Sequence, residues 1–152
     1  MKYAYHYTVG QYFENIMEDA QLKPTSAYIA EREKPILWFS MDQVWEPTAC
    51  KATEELGVIK HLTKNETFQL GCGLVRFGVD PHILIPWPKI GHMARMSKRI
   101  QKSLTREGIR QGANPCLWMG TLEPVVREKW AVVDVWKCNE DFNTGKWVRV
   151  LE

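Results

Sequence analysis

The chain has 152 residues, with 20 lysines and arginines against 18 aspartates and glutamates, and a formal net charge of +2. Hydrophobic residues make up 45% and charged residues 25%, which excludes a wholly disordered or fibrous protein. No apolar run is long enough to cross a bilayer, and the N-terminus lacks the apolar stretch of a signal peptide. We therefore expect a cytoplasmic protein with no membrane partner, folded as a single domain over residues 1–152.

The N-terminal segment is predicted to be a strand followed by a short helix. Aromatic side chains at alternate positions in residues 3–8 have the period of two that is typical of a strand. Thr8, with Gln11 three residues later, is expected to cap an amphipathic helix that ends near Asp19.

The middle of the chain is predicted to contain two further strands. Residues 36–40 form a continuous apolar run that predicts a strand covered on both faces, and a loop is expected over residues 41–50. Residues 52–62 are expected to form a weak helix. Residues 69–79 are predicted to be a strand whose three glycines produce bends or a bulge.

The C-terminal half is predicted to begin with the clearest helix of the chain, over residues 90–107. A short strand and turn are expected over residues 117–126. Strands 130–138 and 146–151, joined by a polar loop, predict a C-terminal β-hairpin with turn residues around Asn143. Together these elements predict an α+β domain with a mixed or antiparallel sheet and a few helices.

Charge is concentrated on the predicted helix. Residues 89–112 hold seven basic residues and one acid, a charge of +6, whereas the other residues hold 13 basic and 17 acidic side chains, a charge of −4. The apolar residues at helical spacing, which we expect to be buried, are Met93, Met96, Ile100 and Leu104. The candidate phosphate contacts are Arg95, Lys98, Arg99, Lys102 and Arg106. Such a face binds nucleic acid, a dinucleotide or an anionic protein, or it is simply solvated.

Cysteine and histidine spacing gives no support for a metal site. The chain has no CxxC, HxxxH or HExxH pattern, so we expect no metal cofactor. The four thiols are expected to be buried and unpaired, as free cysteines usually are; they are Cys50, Cys72, Cys116 and Cys138.

Polar residues interrupt or directly follow the apolar strands, where burial is expected. They are His6, Ser40, Glu46, Arg76 and Glu123. An ionisable group is costly to bury without a partner, so each needs a hydrogen bond, a wet cleft or a ligand. A structural explanation stays open for each, including a satisfied core histidine and an ion pair of Arg76 with Glu46 or Glu123.

The order of motifs in the N-terminal third resembles the opening of ADP-ribosyltransferase-like proteins. A strand ends in His-Tyr-Thr at 6–8, a helix follows, Leu-Lys-Pro at 22–24 leads out, and Trp-Phe-Ser at 38–40 lies in the next strand. The resemblance covers residues 3–48 and implies that NAD is the substrate. It also implies that His6 binds the ribose or amide on the nicotinamide side.

The same resemblance implies roles for the neighbouring residues. Tyr7 and Thr8 would shape the nicotinamide pocket. A second wall, with an aromatic ring stacked on nicotinamide, would consist of Trp38, Phe39 and Ser40.

The resemblance also implies a catalytic carboxylate, because cleavage of the nicotinamide–ribose bond develops positive charge on the sugar. Glu123 is the first choice and Glu46 the second, and Arg76 or the basic helix would hold the pyrophosphate. The chain has no ExE or QxE doublet of the arginine-modifying toxins, so the acceptor, and activity itself, stay open.

Two functions are therefore expected from the sequence. The first is an NAD-dependent ADP-ribosyltransferase or NAD glycohydrolase acting in a cleft around His6, Ser40 and a glutamate. The alternative is a non-enzymatic module that binds nucleic acid or protein through the basic helix 89–110. If the protein is the enzyme, these polar residues should converge in one cleft. If it is the binding module, they should be dispersed.

Overall fold

An antiparallel sheet of seven strands organises the structure, a computed structural model that describes residues 1–25, 32–141 and 144–152. The strands are β1 (Ala4–Val9), β2 (Gln21–Leu22), β3 (Leu37–Ser40), β4 (Ala52–Glu55), β5 (Val58–His61), β6 (Leu74–Val79), β7 (Ile85–Pro86), β8 (Trp118–Thr121), β9 (Val125–Val126), β10 (Trp130–Cys138) and β11 (Gly145–Leu151). The helices are α1 (Phe13–Asp19), α2 (Lys64–Leu70), α3 (Lys89–Met93) and α4 (Lys98–Arg110).

The main sheet has the order β11-β10-β6-β1-β3-β8-β7, and each pair of neighbours is antiparallel. Two small ladders accompany it, β2 with β9 and β4 with β5. The predicted α+β class and the C-terminal hairpin β10–β11 are confirmed. The turn predicted around Asn143 lies outside the described residues. Within the described ranges, no helix combines the length and the apolar character needed to span a lipid bilayer.

The two faces of the sheet differ in chemistry. One face carries the main apolar core, where Phe77 and Val133 are fully buried and α1 packs over them through Phe13 and Ile16. The other face carries aromatic and charged side chains, because alternate residues of a strand point to opposite sides.

A row of cross-strand contacts on the second face explains why Arg76 is buried. Arg76 faces Tyr7 on β1 and Asp134 on β10, and its Nε donates to Asp134 Oδ2 over 2.8 Å. The other oxygen of Asp134 accepts from Arg149 Nε on β11, also over 2.8 Å, and this bond raises the pKa of Arg149. The ion pairs of Arg76 with Glu46 or Glu123 considered from the sequence are therefore wrong, because the register of β6 with β10 supplies Asp134 instead.

The same row anchors the loop of residues 41–50. Arg76 Nη1 donates to the carbonyl of Gln43 over 2.7 Å, and the Tyr7 hydroxyl donates to the carbonyl of Asp42 over 2.6 Å. From β11, Trp147 Nε1 donates to the carbonyl of Val44 over 2.8 Å. Three side chains of the sheet thus donate to the carbonyls of three successive loop residues. These carbonyls would otherwise need hydrogen bonds from water.

A lysine enclosed by tryptophans strengthens this anchor. The Nζ of Lys64 lies 3.3 Å from the ring centroid of Trp136, 5.4 Å from that of Trp45 and 5.9 Å from that of Trp147. Burial lowers the pKa of Lys64. Cation–π attraction in this partly desolvated place ties α2 and the C-terminal hairpin to the loop.

The predicted helix 90–107 is wrong as a single element. Arg95 has a φ of 62°, in the left-handed region, and separates α3 from α4. Ser97 then caps α4, because its Oγ accepts from the backbone N–H of Ile100. Part of the apolar face expected to be buried is also exposed, since Met93 is 41% and Leu104 36% exposed.

Three further expectations are corrected. Residues 52–62 form the hairpin β4–β5 rather than a helix, with Gly57 in the turn at a φ of 79°. The strand expected from residue 69 begins at Leu74, because a capping box of Thr63 and Glu66 starts helix α2 over the preceding residues. Thr8 lies within β1 and does not cap α1.

The cysteines are not buried as expected. Cys72 and Cys116 are exposed, and Cys50 and Cys138 are half-buried; all four thiols are free. Cys72 lies in the turn before β6 and Cys116 in the turn before β8, where the chain runs at the surface.

We predict that Asp134→Asn destabilises the protein by about 3–5 kcal/mol, because it leaves the buried guanidinium of Arg76 without a countercharge. Urea unfolding followed by tryptophan fluorescence measures this loss. Glu152→Gln removes the exposed partner of Arg149, 3.9 Å away, and is the control expected to change stability by less than about 0.5 kcal/mol. Equal stability of the two variants would contradict the importance of the buried pair.

Candidate functional site

Strands β1 and β3 diverge immediately after their first contact. Tyr5 pairs with Ser40, whereas β1 and β6 are in register over six residue pairs. Beyond Tyr5, the Nδ1 of His6 lies 2.8 Å from the carbonyl oxygen of Trp38. A carbonyl can only accept, so Nδ1 carries the hydrogen and Nε2 is the acceptor of the neutral ring. The imidazole therefore bridges a gap where a backbone hydrogen bond would otherwise form.

A cavity of about 550 Å³ opens at this split. Six of the predicted site residues line it, namely His6, Tyr7, Trp38, Phe39, Ser40 and Glu46. The opposite wall is α4, which contributes Ile100, Leu104 and Gly108. The volume lies in the range of small-molecule sites, and the lining combines aromatic rings with a few polar groups, as such sites do.

Glu46 is the buried carboxylate of the cavity, only 7% exposed, and four donors converge on it. Its Oε1 accepts from Trp118 Nε1 over 3.1 Å and from the hydroxyl and backbone N–H of Thr48 over 2.7 and 3.3 Å. Its Oε2 accepts from the Ser40 hydroxyl over 2.7 Å. Oε2 therefore keeps a lone pair for one more donor, and the side chain is held in one orientation.

Burial shifts the titration of two residues at the split. It lowers the pKa of His6; the bond to the Trp38 carbonyl opposes this shift and the charge of Lys51 adds to it. The imidazole is consequently neutral at neutral pH and can accept a proton at Nε2. Burial raises the pKa of Tyr7, so that its hydroxyl remains a donor to the Asp42 carbonyl.

Several predicted site residues lie outside this cavity. Glu123 is exposed in the turn after β8, and Arg76 is held by Asp134 on the sheet. Thr8 lines a smaller hollow of about 270 Å³ beside α1, which His6 also borders. The basic residues of the helix are exposed and do not line the cavity: Arg95, Lys98, Arg99, Lys102 and Arg106.

The sequence interpretation missed several residues at the cavity, among them Lys34, Lys51, Glu107, Gly108 and Trp118. Trp118 reaches Glu46 only because β8 pairs with β3, with Ser40 opposite Trp118, and this pairing joins residues far apart in the chain. Gly108 has a close-approach role, since a Cβ there would lie 2.3 Å from the Trp118 ring. Neither contact has a local signal in the sequence.

No protein-family model, curated protein or solved structure matches the chain. Among the described residues, no group of three or more His, Cys, Asp and Glu side chains is arranged to hold a metal ion.

We predict that His6 makes the protein less stable in acid. Its folded pKa lies below the ordinary value of 6.5, so the unfolded state binds more protons once the pH falls below that value. Its contribution is complete above pH 6.5 and is lost as the pH falls from there toward the folded pKa. His6→Gln should therefore flatten the dependence of the unfolding free energy on pH between about 7.5 and about 5. The exposed His92→Gln is the control, and an unchanged slope in His6→Gln would refute the assignment.

We also predict that Gly108→Ala displaces α4 from Trp118 and costs about 1–3 kcal/mol through overpacking. Thermal unfolding measures the cost, and near-ultraviolet circular dichroism reports the altered tryptophan environment. Ser103→Ala, at an exposed position of the same helix, is the matched control. A Gly108→Ala variant as stable as Ser103→Ala would be inconsistent with this contact.

Proposed function

We propose that the protein cleaves NAD at the nicotinamide–ribose bond, as an ADP-ribosyltransferase or NAD glycohydrolase. The observation that carries the proposal is the convergence of His6, Ser40 and Glu46 on one cavity. The proposal also agrees with the motif order over residues 3–48, which resembles ADP-ribosyltransferase-like proteins.

The aromatic wall of the cavity suits a flat, electron-poor nicotinamide ring. The Trp38 and Trp118 rings pack against each other with centroids 6.1 Å apart, and both side chains line the cavity. Aromatic faces attract cationic and electron-poor rings. His6 Nε2 has no hydrogen-bond partner among the residues described, so in this proposal it accepts from a ribose hydroxyl or from the nicotinamide amide.

Glu46 is the carboxylate we assign to catalysis, in place of Glu123. As the bond from C1′ to the nicotinamide nitrogen breaks, positive charge develops on the ribose, and a fixed carboxylate nearby stabilises it. Ser40 and Trp118 hold the carboxylate, which removes the cost of reorienting it during the reaction. The free lone pair of Oε2 can also accept from a ribose hydroxyl.

The pyrophosphate requires cations that face the cavity. Arg76 is already bonded to Asp134 and Gln43, so we reassign this role to Lys34 and Lys51, whose exposed side chains lie among the lining residues. Lys51 and His6 line the same cavity, so in this proposal the cation and the nicotinamide-binding residue serve one bound NAD molecule.

A second candidate function is a binding module without catalysis that acts through α4. Four cations of this helix favour it, because they are exposed and make no ion pair with any residue that the structure describes: Lys98, Arg99, Lys102 and Arg106. The convergence of His6, Ser40 and Glu46 on one cavity favours the enzyme over the binding module. An assay for NAD consumption distinguishes these two candidate functions.

We predict that the purified protein releases nicotinamide from NAD and that Glu46→Gln lowers kcat by about 10²–10³-fold, as loss of a transition-state charge contact does. His6→Ala should lower kcat/KM. Glu123→Gln, an exposed carboxylate removed in the same way, is the matched control and should retain activity. Chromatographic detection of nicotinamide measures turnover, and melting temperatures establish that each variant is folded.

Quenching of tryptophan fluorescence by NAD separates binding from chemistry, because Trp38 and Trp118 line the cavity. Glu46→Gln should still be quenched. Turnover that is equal in wild type, His6→Ala and Glu46→Gln would reject the site assignment. A wild-type protein with neither turnover nor quenching would reject NAD as the substrate.

A further inference from the structure

Helix α4 has two faces of different chemistry. Ile100, Leu104 and Gly108 face the cavity. On the other side of the helix, Lys98, Lys102 and Arg106 follow one another at intervals of four residues, with Arg99 beside them. Four residues of an α-helix rise about 6 Å, so these cations form a row parallel to the wall of the cavity.

The cations of this row lack countercharges. All four are exposed, and none makes an ion pair or a side-chain hydrogen bond with another residue in the described part of the chain. Arg110, further along the helix, is by contrast paired with Glu107. The row is therefore an uncompensated positive surface, which attracts a polyanion and gains free energy from the counterions released when phosphates bind.

The composition of the face favours a nucleic acid over an acidic protein. Protein interfaces depend on buried aromatic or large apolar anchors. The outer face of α4 offers Ile109, 60% exposed, as its large apolar side chain, and it contains no aromatic residue. A row of evenly spaced cations without large apolar side chains matches a nucleic acid, because each nucleotide carries one negatively charged phosphate.

The position of the row, separated from the cavity by the width of α4 alone, favours a single strand. A duplex keeps its bases stacked, whereas an unpaired nucleotide can leave the strand and enter a pocket. For a nucleic-acid strand bound to the outer face, an unpaired nucleotide reaches the cavity by passing α4, whose diameter is about 10–12 Å.

We infer that the acceptor of the ADP-ribosyl group is a single-stranded nucleic acid that lies along Lys98, Arg99, Lys102 and Arg106. This inference rests on the proposed function. A hydroxyl oxygen or a base nitrogen of the nucleotide forms a bond to C1′ and loses its proton to water. Nicotinamide leaves as a neutral molecule with the electron pair of the broken C1′–N bond.

Binding is tested without NAD, so its result does not depend on catalysis. The fluorescence anisotropy of labelled oligouridine and oligodeoxythymidine should show binding, with a slope of log K against log salt of about −0.7 per contacted phosphate, or about −3 for four contacts. The RNA and DNA arms distinguish the two sugars. Duplex DNA and polyglutamate should bind more weakly.

The test variant replaces Lys98, Arg99, Lys102 and Arg106 with glutamine and should bind at least tenfold more weakly. Its matched control removes four exposed cations elsewhere, by Arg127→Gln, Lys129→Gln, Lys137→Gln and Lys146→Gln. Equal weakening in both variants, tighter binding of the duplex or of polyglutamate, or affinity that does not depend on salt would overturn the inference.

Transfer is tested with NAD labelled in its adenylate part. Label should pass to the oligonucleotide in wild type and in the control variant, and it should fall at least tenfold in the α4 variant. Nicotinamide release and oligonucleotide binding without transfer of label would overturn the acceptor assignment alone. Oligonucleotide binding without any nicotinamide release would instead overturn the proposed function.

Discussion

The buried pair of Arg76 and Asp134 is the interaction on which the site depends. The fold can bury these two charges because Arg76 Nε lies 2.8 Å from Asp134 Oδ2 and each side chain has a second partner. Arg76 also donates to the carbonyl of Gln43, and Asp134 also accepts from Arg149. The second bond of Arg76 ends on the loop of residues 41–50. The electrostatics of the sheet therefore determine where that loop lies, and with it the position of Glu46.

The cavity exists because β1 and β3 separate. In a continuous ladder the carbonyl of Trp38 would accept a backbone N–H, and no space would remain between the strands. Here the His6 ring donates to that carbonyl, which satisfies it while keeping the strands apart. Helix α4 then closes the opening from one side, at a distance that Gly108 and the Trp118 ring determine. Polar groups inside the hollow can meet a ligand because the backbone around them is already satisfied.

Much of the fold was predictable because its signals are local. Strands β1, β3 and β10 have short-range patterns of aromatic and β-branched residues, and each lies within one residue of its predicted start. Other local signals were present but were not recognised, notably Ser97 as the cap of α4 and the capping box before α2. The hairpin β4–β5 lacks a clear alternation of apolar and polar residues, because nearly all of its residues are exposed and neither face has to be apolar.

The sequence by itself indicated some of the polar residues that needed partners, because an ionisable group among apolar residues of the chain is costly to bury. The same reasoning selected Glu123, which is exposed, and did not select Asp134, which is buried. His6, Ser40 and Glu46 were identified in that way. Only the tertiary structure decided which partners they received. Glu46 meets Trp118, 72 positions away, and Arg76 meets Asp134, 58 positions away. The pairing of β6 with β10 and of β3 with β8 brings these residues together, and which distant strands become neighbours is decided only in the assembled sheet.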